Sequence, residues 1–89
     1  MKSFDELEFK YKDAIEQYDL NSAWANDIRE TILSLKDPKE IVLSCLLDGL
    51  EDCFEKKIKA ESYLLKNGFN EKEILSLCYQ YGEYCNKWF

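Results

Sequence analysis

The chain has 89 residues with 12 basic and 18 acidic side chains, four cysteines, no histidine and a net charge of −6. This length forms one domain, 1–89, hiding roughly 60–65% of its unfolded surface, and 46% hydrophobic residues with 15% aromatics argue against disorder. The missing histidine removes Ser–His and Cys–His nucleophile pairs and helical metal sites built on Glu-x-x-His. Three isolated glycines, at 49, 68 and 82, leave no phosphate-cradling loop. The expectation is a non-enzymatic protein with no cofactor and no metal.

Three glycines and one proline supply little material for the tight turns of a sheet, so the fold expected is all-α. It is a small bundle of three to four helices, with a long third helix and an antiparallel C-terminal helical hairpin. No window approaches the roughly 20 apolar residues that span a bilayer, and no apolar run follows a basic N-terminal segment. A cytoplasmic location is expected.

Taking the chain in order, Ser3 and Glu6 form a capping box ahead of a helix over Phe4–Tyr18. Its inner stripe is Phe4, Leu7, Tyr11, Ala14, Ile15 and Tyr18, and Phe9 is left as a lone aromatic on the polar side. Residues 19–22 read as a short connection with three capping side chains, Asp19, Asn21 and Ser22. A second helix then runs to about Lys36 with Trp24, Ile28, Thr31, Ile32 and Leu35 inward.

The central stretch is 37–54, DPKEIVLSCLLDGLEDCF. Asp37, Pro38 and Glu40 provide a cap, a first-turn proline and a capping box. Seven of the ten residues from Ile41 to Leu50 are apolar and one is charged. At about 100° per residue, Leu43, Leu46, Leu47, Leu50, Cys53 and Phe54 share one broad face. This third helix can run from Pro38 to Lys66, with a lapse in its stripe at Lys57 and Glu61. One continuous helix is expected, the first two helices covering its first half and the fourth its second.

The following turn is the most completely specified segment. Gly68 suits the left-handed position after a helix, and Phe69 folds back on Leu64 in the Schellman pattern. Asn70 caps the fourth helix, with Glu73 completing the box and Phe69 stapling to Ile74. Ile74, Leu77, Cys78, Tyr81, Tyr84, Cys85 and Trp88 then face inward. The cysteines fall in two pairs, Cys45 with Cys53 and Cys78 with Cys85. Opposing the last two helices about Gly68 brings at most Cys53 and Cys85 within the reach of a disulfide, and a cytosolic chain keeps them reduced.

The charge is uneven. Residues 1–55 hold 14 acidic and 6 basic side chains, whereas residues 56–89 hold 4 and 6. An acidic first half argues against direct nucleic-acid binding and favours a basic protein partner. Asp48, Glu51, Asp52 and Glu55 fall at i, i+3, i+4 and i+7, a spacing where like charges repel by a few tenths of a kcal/mol per pair. These four are the candidate partner-binding residues.

Leu75, Tyr79, Gly82, Trp88 and Phe89 form a candidate oligomer contact, and Leu33 with Ile41 forms a second apolar patch at the corner between helices. The leading function is therefore a protein-binding inhibitor or adaptor acting on a basic, nucleic-acid-handling protein. By analogy it resembles accessory proteins of phages or mobile elements. The alternative is a helical oligomer that sequesters a small anionic ligand such as a nucleotide, using Lys56, Lys57, Lys59 and Lys66 beside aromatic rings.

Overall fold

The computed structural model describes residues 3–88, with side chains over 3–86. A single 3₁₀ turn, Phe4–Glu6, precedes three helices: α1 (Phe9–Ser34), α2 (Glu40–Lys66) and α3 (Glu71–Trp88). The described residues contain no strand, and α1 packs along α2 and against α3 as a small all-α bundle. No helix among them is long and apolar enough to cross a membrane.

The connection expected over 19–22 does not form, and α1 passes through it unbroken. Asn21 and Ser22 serve the helix instead of capping a new one. The Asn21 Nδ2 donates to the Gln17 carbonyl at 2.7 Å, and the Ser22 hydroxyl donates to the Tyr18 carbonyl at 2.7 Å. These bonds satisfy the side chains within an intact helix. Asn21 is almost wholly buried as a result.

The expected first-helix start also moves. Ser3 Oγ donates to Glu6 Oε1 at 3.2 Å, but neither side chain caps a backbone N–H, so the expected capping box does not form; Ser3 precedes only the 3₁₀ turn, and α1 begins at Phe9. The turn lets Phe4 sink between Tyr81 and Tyr84, with ring centroids 5.6 and 5.8 Å away. The Phe4 backbone N–H donates to Gln80 Oε1 at 2.7 Å, tying this segment to α3.

At the α1–α2 corner, α2 starts at Glu40 rather than Pro38, with Lys39 as its N-cap residue. Asp37 takes a left-handed conformation with φ +48°. Aspartate adopts this region more readily than most residues with a side chain. As expected, α2 then runs without a break to Lys66. Lys57, where the stripe lapses, lays its ammonium 5.2 Å from the Tyr18 ring centre, so a charged residue at an inward position keeps a partner.

The turn after α2 forms as its residues dictate. Gly68 has φ +93°; its N–H donates to the Leu65 carbonyl and the Phe69 N–H to the Leu64 carbonyl, the paired bonds of a Schellman cap. Asn70 Oδ1 accepts from the Glu73 N–H at 2.9 Å. Asn67 bridges two helices, donating to the Tyr63 carbonyl and accepting from the Tyr11 hydroxyl. The chain reverses here into α3, whose inner residues lie mainly on α1.

The core sits at this end of the molecule. Ile15, Leu64, Ile74 and Leu77 are almost completely buried, joined by Phe4, Leu7 and Ala14, with Tyr11, Tyr18, Phe69, Cys78 and Tyr81 around them. The far half of the α1–α2 hairpin differs from expectation. Of the broad α2 face, only Cys53 is buried, and Trp24, expected inward, is 50% exposed. With α3 confined to the other end, a pair of helices alone covers too little surface to hide these side chains.

Two substitutions test this division. Leu64→Ala should cost about 2–5 kcal/mol in urea denaturation. Gly68→Ala, which meets no neighbouring atom within 4 Å, should cost about 1–2 kcal/mol through backbone strain alone.

Candidate functional site

Asp48, Glu51, Asp52 and Glu55 all lie exposed on the outer face of α2, away from α1. Helical rise spreads them over about 10 Å. Asp52 pairs with Lys56 at 3.0 Å, and no ion pair holds the other three among the described residues. The fold thus presents the expected residues as one continuous acidic ridge.

Three of the five residues expected to form an oligomer contact have described side-chain surroundings, all on α3. Leu75 and Tyr79 are well exposed, and Gly82 has open space where a Cβ would stand. Phe89 and the side chain of Trp88 lie outside the described residues. Leu33 and Ile41 are both strongly exposed on either side of the hairpin corner.

The basic cluster divides. Lys56 and Lys59 line an open groove of about 620 Å³ with Lys10, Phe9, Asp13 and Tyr63. Lys57 turns to the opposite side of the hairpin, against Tyr18, and Lys66 is not in the groove. Lys10 joins as a third cation that sequence spacing alone could not supply, because it comes from α1. The Tyr11 and Glu8 side chains nearby raise its pKa. Phe9 gains a setting here, since it also lines a second groove with Glu16, Tyr81 and Cys85.

Burial governs the chemistry of the remaining polar groups. It pushes the Cys78 thiol up to about 12, with nearby Asp19 adding to the effect and Lys57 opposing it. Burial likewise raises the Asp19 carboxyl, and raises the Tyr81 phenol, whose hydroxyl donates to Glu16 Oε1 at 3.3 Å. All four cysteines are free thiols; Cys53 is buried in α2, whereas Cys85 lies beside Phe9 and Glu16. Among the described residues, no three His, Cys, Asp or Glu side chains converge to hold a metal ion. No protein-family model, curated protein or solved structure matches the chain.

The thiols provide a direct check on this geometry. Thiolate is the reactive form, so a thiol pushed to about 12 stays protonated as pH rises from 7 to about 9. Alkylation followed by peptide mass spectrometry should modify exposed Cys45 first and leave Cys78 slow throughout that range. Denaturant should erase the difference.

Proposed function

We propose that this chain is a non-enzymatic protein-binding protein, an inhibitor or adaptor that docks a basic partner on the acidic ridge of α2. The observation that supports it is the row Asp48, Glu51, Asp52 and Glu55, all exposed and with one cationic neighbour in a salt bridge. Like charges in such a row work against the helix that carries them. A basic surface would relieve that repulsion and gain association rate from the same field. A partner that handles nucleic acid has such a surface, and by the same analogy the chain fits an accessory protein of a phage or mobile element.

Glu51→Lys with Asp52→Lys should leave the helical circular dichroism and melting temperature nearly unchanged, since surface substitutions usually fall within about 0.5 kcal/mol. Used as bait in a lysate of the source cell, the wild-type protein should recover a basic protein that high salt releases. The double variant should recover at least tenfold less. Equal recovery by both baits would remove the ridge as the docking site.

A second function has its own support, an anionic aromatic ligand held in the groove of Lys10, Lys56, Lys59, Phe9 and Tyr63. Lysines there suit phosphate and the rings suit a stacked base, although Asp13 on the same wall opposes an anion. ATP should raise the melting temperature of the wild type, and Lys56→Glu with Lys59→Glu should abolish the rise. No shift with the wild type rejects this ligand class.

A further inference from the structure

α2 carries two seams side by side. The first faces α1 and includes Leu46, Gly49, Cys53, Ala60 and Leu64, all buried or half-buried. Gly49 lets the helices approach, with Ile28 Cδ1 3.5 Å from the position its Cβ would take. The second seam is Leu43, Leu47, Leu50 and Phe54, at intervals of four, three and four residues. That interval is the one that places side chains against a neighbouring helix.

The described chain covers it only in part: Leu43 and Leu50 are half-buried, whereas Leu47 and Phe54 stay exposed. At the core end, Glu61 meets the first turns of α3, sharing a pocket with Glu71, Ile74 and Leu75. Farther along, Leu47 is 49% and Phe54 44% exposed. The seam is about 16 Å long.

The whole molecule is extended. Its accessible surface is 6683 Å², against about 5,500 Å² for a compact monomer of its mass. Its radius of gyration is 15.3 Å, against about 12 Å for a compact chain of this length. The excess surface, on the order of 1,200 Å², exceeds the roughly 800 Å² that each partner gives to a standard interface.

We propose that a second copy of this chain occupies the seam, two α1–α2 hairpins joining about a two-fold axis as a four-helix bundle. Two features favour a copy over a basic partner here. The four seam residues carry no charge, so the seam offers a cation nothing, while leucine and phenylalanine can interdigitate with themselves. The acidic ridge points away from α1 on the adjoining face, so joining the seams does not force two ridges of a −6 chain together. Isologous pairing of one patch with itself is the commonest route to a dimer. This inference does not rest on the ridge being a docking site, although a dimer would display two ridges.

Sedimentation equilibrium of the chain should give twice 10.6 kDa at high concentration, and the melting temperature should rise with protein concentration. Leu47→Glu and Leu47→Lys should each be helical monomers, because a buried unpaired charge opposes association, and mixing the two should restore a dimer. Leu75→Glu with Tyr79→Glu on α3 should leave the dimer intact. A wild type that stays monomeric with a concentration-independent melting temperature overturns the proposal. So does a dimer that survives Leu47→Glu, or one lost only on changing Leu75 and Tyr79.

Discussion

Three helices meet at one place, and the rest of the structure depends on that meeting. Ile15 from α1, Leu64 from α2, and Ile74 and Leu77 from α3 bury their side chains together. Each such side chain contributes roughly 1.5–3 kcal/mol relative to exposure. The Schellman turn at Gly68 sets where α3 can lie, and Asn67 hydrogen-bonds to Tyr11 from the same turn. Packing and turn geometry therefore fix each other: the turn brings Ile74 into the cluster that holds Ile15, and that burial holds Gly68 in its positive φ.

Because the cluster lies at one end, stability is graded along the hairpin. Near the core, α1 and α2 are held from a third side by α3. Toward the corner at Asp37 they touch only each other, largely through small or half-buried residues such as Ala25, Gly49 and Cys53. Few buried apolar contacts mean a low local cost of opening, so this end is where fraying begins. Anything that covers the second seam adds contacts where the chain has fewest. Association and local order in the far hairpin are thus linked.

How much of this was legible in the sequence follows the range of the interactions. The turn at Gly68 and the cap at Asn70 were readable because each involves residues within five or six positions. The acidic ridge was readable because helical spacing alone builds it. The join of the first two helices was not, since Asn21 and Ser22 carry the same oxygens and N–H groups whether they cap a helix or bond back to the preceding turn. That choice is made by burial, as Asn21 and Ala25 are needed inside against α2. The groove was also hidden, because Lys10 and Phe9 reach Lys56 and Lys59 only once the hairpin closes. Phe4 was assigned to a helix it leaves, drawn out by Tyr81 and Tyr84 almost 80 residues on.

The breadth of the apolar face on α2 was visible, and its meaning depended on how many neighbours the helix has. A surface helix against one partner needs a stripe about 100° wide. Leu43 through Phe54 cover more than that, and the width resolves into two seams once α1 is seen to occupy only one. The same helix turns its carboxylates to the remaining side. Its circumference is therefore divided among an intrachain partner, a partly covered apolar seam and a charged ridge. A lysine at Leu47, which is 49% exposed, would have made the helix more soluble. That this position carries a leucine is explained by a seam that is dry in the working protein.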